Sequence, residues 1–188
     1  MKDPVSARKK IYRLAMDAIF VAIYVLLGTY LSIKIPGAIQ ISFSSLPILL
    51  CAFLFRPADA VAVAVFGNLV EQILDPSPYG FVTLAIWLIP GAVQALVASM
   101  GACAVRRASS TRTEAILLVV FISCAEFALT LFNTGALYLD GYILSYPVKA
   151  LHLLMPMRLL NALVRSVLSC ILVPLLLVPL RRVLAKLN

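Results

Sequence analysis

Charged side chains are scarce in this sequence. Only 13% of the 188 residues are Asp, Glu, Lys or Arg, about half the share of an ordinary soluble domain, and too few to solvate a water-exposed surface. Histidine occurs once, and Cys51, Cys103, Cys124 and Cys170 show no CxxC spacing. A protein metal site needs several such ligands in register, so the cysteines are read as inert buried thiols, and no metal or cofactor is expected. The chain has no GxxxxGK[ST] loop, no HExxH and no GxSxG, which excludes a P-loop ATPase of its own and the hydrolases those motifs announce. Behind the basic start, Tyr30-Leu31-Ser32-Ile33-Lys34 offers no small-residue cleavage pattern, so an uncleaved first segment is expected.

What the chain does have is apolar length. Hydrophobic residues make up 63% of it, and the mean hydropathy is +1.04. A helix needs about 20 mostly apolar residues to cross a hydrocarbon slab about 30 Å thick, so there is room for roughly six spans and short loops. The spans are expected over about 11–31, 46–55, 59–74, 81–105, 114–139 and 156–180, separated by Pro36-Gly37, the tight turn Arg56-Pro57-Ala58-Asp59, and the stiff loop Asp75-Pro76-Ser77-Pro78-Tyr79-Gly80. Pro90-Gly91 allows a kink or a break in the fourth span. The expected fold class is therefore an all-α membrane protein, a six-transmembrane-helix bundle forming one domain over residues 1–188.

The net charge of +8 has a side. Lys2, Arg8, Lys9, Lys10 and Arg13 precede the first span, Arg106, Arg107 and Arg112 fill the central loop, and Arg181, Arg182 and Lys186 close the chain. The opposite side has little beyond Lys34, Lys149 and Arg158. The positive-inside rule then puts both termini in the cytoplasm, and no folded aqueous surface is left for nucleic acid.

Polar groups inside spans are costly in lipid and are functional candidates by default. Here they fall on helical faces. Asn68, Glu71, Gln72 and Asp75 form one stripe, Ser123, Glu126, Thr130, Asn133 and Thr134 a second, and Arg158, Asn161, Arg165 and Ser169 a third, while Trp87 and Gln94 share a face of the fourth span. At about 1.5 Å per residue, Glu126 stands roughly 18 Å above the cytoplasmic end of its helix and Arg165 roughly 13 Å below the outer end of its own. The two depths nearly coincide, so Arg165 and Glu126 are either a structural ion pair or the floor of an outward-facing pocket. Arg13 and Asp17 have i, i+4 spacing and read as a snorkelling pair. Lys34 reads equally as an interface anchor or as a lid residue on an anionic ligand. His152 has no partner ligand at metal-binding spacing. Ala15, Ala18 and Ala22 form a small-residue stripe that suits close helix approach, to a partner or within the bundle.

Several segments together resemble the substrate-binding S components of energy-coupling factor transporters, in particular the folate-type branch. They are the basic tail before Arg13-Leu14-Ala15, the alanines Ala18 and Ala22, and Ile41-Ser42-Phe43-Ser44-Ser45-Leu46-Pro47. Tyr79-Gly80-Phe81-Val82-Thr83-Leu84, Asn133-Thr134 and Pro156-Met157-Arg158-Leu159-Leu160-Asn161 complete the set. The resemblance implies a vitamin-binding subunit in the bacterial plasma membrane, without ATPase activity, that docks through Ala18 and Ala22, with Ala15 one turn earlier, on a membrane scaffold coupled to two ATP-binding subunits. It also implies a pocket formed by the outer halves of spans four to six, under the loops at 34–44 and 75–80. The expected substrate-binding residues are Lys34, Ser42, Glu71, Gln72, Tyr79, Trp87, Gln94, Glu126, Asn133, Arg158, Asn161 and Arg165. Folate is the first expectation, with Arg158, Arg165 and Lys34 holding carboxylates and Trp87 or Tyr79 stacking on a flat ring. Pantothenate, cobalamin and a queuosine precursor are alternatives. So are an intramembrane lipid-acting enzyme using Glu126, Glu71 and Arg165, and a structural assembly subunit.

Overall fold

Prolines and short capping side chains divide the chain into helices, and the computed structural model describes residues 4–35, 39–74, 84–145, 152 and 155–187. The helices are α1 Pro4–Thr29, α2 Ser45–Leu54, α3 Pro57–Leu74, α4 Leu84–Arg106, α5 Thr111–Ile143 and α6 Met155–Leu187. Pro57 opens α3 at the position where a missing N–H costs nothing, and the Asp59 carboxylate accepts the Arg56 N–H at 3.1 Å. Ser110 caps α5, its hydroxyl accepting the Thr113 N–H at 3.2 Å ahead of Glu114 in the first turn. Pro90 does not break α4, which runs through it. The Asn68 amide donates to the Trp87 carbonyl at 3.0 Å, three residues before the proline, and supports the backbone where the ladder is weakened.

Among the described residues, five helices are long and apolar enough to cross a membrane, and α2 is the exception. Its 10 residues reach about 15 Å, half of a hydrocarbon slab about 30 Å thick. All of them except Leu54 are buried. The stop lies in the serines that precede it: the Ser44 N–H donates to the Ser42 hydroxyl at 3.2 Å and the Ser42 hydroxyl to that of Ser44 at 2.8 Å, a local turn that competes with helix. The expected second span is thus a half-helix whose N-terminus begins inside the bundle. The outer segment before it is more ordered than a loop. Ile33–Ile35 (β1) and Ile39–Ile41 (β2) pair antiparallel, Lys34 opposite Gln40, as befits alternating β-branched residues, and β2 lies against α6.

The core sits toward the basic ends of the helices. Leu49, Cys51, Ala52, Ala60, Val63, Ala64, Ala95, Ala98, Ile122 and Ala125 have no exposed surface. In lipid, apolar burial gives little drive between helices, and close packing of small side chains takes its place. A glycine serves a contact of this kind. A side chain at Gly67 would run into the Tyr24 ring near its root, so α1 and α3 approach closely there, while one at Gly28 would meet the movable end of the Glu71 side chain. At the cytoplasmic edge Arg13 pairs with Asp59 at 3.8 Å, joining α1 to α3 where the i, i+4 spacing had pointed to Asp17. Arg181 meets Glu114 at 3.3 Å between α6 and α5.

Candidate functional site

At the level where α2 begins, the helices change from alanine to polar side chains and separate around a cavity of about 380 Å³. It opens in the half of the bundle opposite the basic termini, which the positive-inside rule makes the outer half. Its volume is in the range of small-molecule sites.

Each wall carries its own chemistry. The α3 wall contributes Asn68 and Glu71, one helical turn apart. Gln72 stands behind it, donating to the Asn68 side-chain oxygen at 3.0 Å, so the chain of bonds from Gln72 through Asn68 to the Trp87 carbonyl fixes this wall to α4. The α4 wall presents Trp87, Gly91 and Gln94. Gln94 is wholly buried, and neither atom of its amide has a hydrogen-bond partner among the described residues.

Across the cavity, α6 presents Arg158, Asn161 and Arg165, with Asn133 beside them on α5. Arg158 donates to the Asn133 carbonyl at 3.2 Å and to the Thr134 hydroxyl at 3.3 Å, and is in no ion pair among the described residues. Arg165 donates to Thr130 at 3.0 Å and lies 3.5 Å from Glu126. The Glu126 carboxylate has no exposed surface and accepts the Ser169 hydroxyl at 2.7 Å. It holds Arg165 from behind and does not line the cavity. The two candidate roles of the Arg165–Glu126 pair are therefore divided: the glutamate is the buried structural partner, and the arginine faces the hollow.

Of the expected site residues, Ser42, Glu71, Trp87, Gln94, Asn133, Arg158, Asn161 and Arg165 converge on this cavity. Gln72 and Glu126 stand one layer back. Tyr79 lies outside the described residues, and Lys34 is described only as a backbone position of β1. The first three helices contribute more than the expected pocket of spans four to six allowed. Tyr24 reaches in from α1, its hydroxyl beside Ser44 and Glu71, and Ser44, Ser45 and Ile48 line the cavity from the start of α2. Leu129 and Met157 complete it. Asn68 was legible as part of the α3 stripe, and the serines as part of the turn into α2. Tyr24, Ile48, Leu129 and Met157 carry no sequence signal that separates them from other apolar span residues. His152 is bonded to the Tyr138 hydroxyl at 3.0 Å. Ala15, Ala18 and Ala22 are exposed on one face of α1.

The cavity thus offers two guanidinium groups and two asparagines on one side, and two amides, an indole and a carboxylate on the other. That suits reversible recognition of a small, polar, partly anionic molecule, with charge-assisted bonds for orientation and an aromatic face for stacking.

No curated protein matches the sequence. The solved S component of a bacterial ECF transporter superposes with a TM-score of 0.60 at 21% identity, covering 95% of this chain and 98% of that one, a likeness of fold. The profile of the family described as "ECF transporter, substrate-specific component" matches residues 12–177. Members bind a small-molecule substrate and partner with the scaffold and ATPases of an ECF module; they are substrate-binding subunits rather than enzymes, which removes the lipid-enzyme alternative. With five crossing helices, a half-helix and a polar cavity in its outer half, the chain belongs to the family of ECF transporter substrate-specific components.

Proposed function

We infer that this subunit captures a carboxylate-bearing vitamin with a flat ring, folate first, from outside a bacterial plasma membrane. The observation that carries the reading is the opposition of Arg158 and Arg165 to Trp87 across one cavity. Arg158 has only neutral partners among the described residues, so a ligand carboxylate gains a charge-assisted, fork-shaped contact there. Trp87 supplies a stacking face for the ring. The β1–β2 segment, which leads into the cavity-lining Ser42, is the proposed outer cover over the ligand. The alanine face of α1, exposed at Ala15, Ala18 and Ala22, is the proposed contact with the scaffold, which two ATP-binding subunits energise. Pantothenate satisfies the carboxylate requirement without the ring, and cobalamin and a queuosine precursor do not use both arginines.

Titration of the purified chain with folic acid tests this. Saturable binding is expected, weakened about 30-fold or more in Arg158→Ala, because truncating one side of a desolvated charge contact costs about 2–5 kcal/mol. Affinity unchanged by Arg158→Ala would sink the assignment of that arginine, and absence of folate binding would sink the ligand.

A further inference from the structure

Gln94 is the least explained side chain in the cavity. It has no exposed surface, and both its amide oxygen and its amide nitrogen lack a partner among the described residues. Buried polar groups are almost always bonded, so an amide with both atoms unbonded at the wall of a cavity calls for a partner from within it. It lies two helical turns inward from Trp87 on the same face of α4, with Gly91 between them contributing no side chain. The α4 side of the cavity thus carries an indole toward its outer end and an amide toward its inner end, and at Gly91 it packs against Ala64 and Asn68 of α3.

An amide presents one donor and one acceptor side by side. A carboxylate satisfies only the donor and repels the amide oxygen. A hydroxyl satisfies one atom at a time. The groups that satisfy both at once carry a donor and an acceptor side by side on one planar edge: a ring amide does, with its N–H and C=O held on the same side, and so does an aminopyrimidine. Building on the reading of a ring-bearing ligand, we propose that Gln94 is the specificity determinant of this subunit and selects a planar heterocycle with a cyclic amide or urea edge, which seats between Gln94 and Trp87. The ligand then lies across the cavity, with its ring amide at α4 and its anionic end at the α6 arginines.

The experiment is calorimetric titration of wild type, Gln94→Leu and Gln94→Glu with folic acid (ring amide and carboxylates), p-aminobenzoylglutamate (the same carboxylates, no ring amide), riboflavin (ring amide, no carboxylate) and thiamine (an aminopyrimidine edge in place of the ring amide, no carboxylate). Thermal unfolding of each unliganded protein is measured alongside. Gln94→Leu is expected to lower affinity for the ring-amide ligand by roughly 10- to 100-fold, the cost of losing a buried hydrogen-bonding partner, and to leave p-aminobenzoylglutamate unaffected. Its unliganded melting temperature is expected to equal or exceed that of wild type, since an unbonded polar group is replaced by an apolar one. Gln94→Glu, which keeps the acceptor and loses the donor, is expected to weaken the ring-amide ligand as well.

Equal losses for folic acid and its ring-free fragment, unchanged folic acid affinity, or preference for thiamine would each overturn the role of Gln94. Riboflavin binding that depends on Gln94, with no folate binding, removes the folate reading and retains this one. Folate binding that depends on Arg158 and not on Gln94 does the reverse. Failure of all four ligands overturns both.

Discussion

The inner and outer halves of this bundle are built on the same helices with opposite side-chain rules. In the inner half, Ala60 and Ala64 of α3, Ala95 and Ala98 of α4 and Ala125 of α5 have no exposed surface. One or two turns further out the same faces carry Asn68 and Glu71, Trp87, and Asn133 around a cavity of about 380 Å³. The half-helix α2 marks the boundary: Ser45 and Ile48 line the hollow at its start, and Leu49, Cys51 and Phe53 fill the inner half beyond them. The dense half supplies cohesion, in a solvent where close contact replaces the hydrophobic effect. The hollow half can therefore leave Gln94 and Arg158 incompletely paired. Stability and ligand recognition are separated along the membrane normal.

The largest expected effect comes from the residue that belongs to both halves. Arg165→Ala strips the counter-charge from Glu126, which has no exposed surface, and breaking a buried pair from one side costs about 3–5 kcal/mol. Thermal unfolding should register that loss, and binding should fail with it. The double variant Arg165→Met with Glu126→Leu should recover most of the stability and none of the binding, since a buried pair replaced by apolar residues is often neutral. If the double variant binds ligand, Arg165 is not part of recognition. If the single variant is as stable as wild type, the two halves are not joined through this pair.

A smaller effect sharpens the contrast from the inner side. Ala98 has no exposed surface, and Ala98→Leu forces extra volume into the closest packing of the bundle, at a cost of about 1–3 kcal/mol. Because the change sits below the hollow, affinity of the folded protein should move by less than about 3-fold, under 1 kcal/mol. A large loss of affinity at unchanged stability would show that the inner packing sets the cavity's shape, against the division drawn here.

Much of this division was legible in the sequence. Polar residues recur at helical spacing on four spans, and the costs of hydrophilic groups in lipid direct them inward, which brought seven of the expected residues to one cavity, Ser42 joining them from the segment before α2. The near-equal depths of Glu126 and Arg165 came from counting turns, and the pair is found at 3.5 Å. Radial position was not legible. Periodicity names a face of a helix but not whether a residue on it meets the hollow or the layer behind, so Gln72 and Glu126 read as lining residues. The apolar liners Tyr24 and Ile48 are invisible for the complementary reason, because nothing in an apolar run distinguishes a wall of a cavity from a wall of a core. Helix ends also exceed the apolar runs: α6 continues to Leu187 and α1 starts at Pro4, since backbone hydrogen bonding does not stop where hydropathy falls.

The smallest expected effect lies at the cytoplasmic rim, below both halves. Arg13 reaches Asp59 at 3.8 Å, and 35% of the arginine side chain is exposed. Only the arginine end of the pair is open to solvent, the Asp59 side chain being 12% exposed, so screening and side-chain entropy offset part of the attraction and Arg13→Ala should cost about 1 kcal/mol. The difference from wild type should shrink further between low salt and about 1 M, where the screening length falls to about 3 Å. Asp59 retains the Arg56 N–H bond at 3.1 Å in the variant, so the start of α3 keeps its cap. Thermal unfolding at the two salt concentrations reads the effect. A loss of several kcal/mol that persists in high salt would mean that cohesion extends to this rim and does not rest on the alanine-packed layer alone.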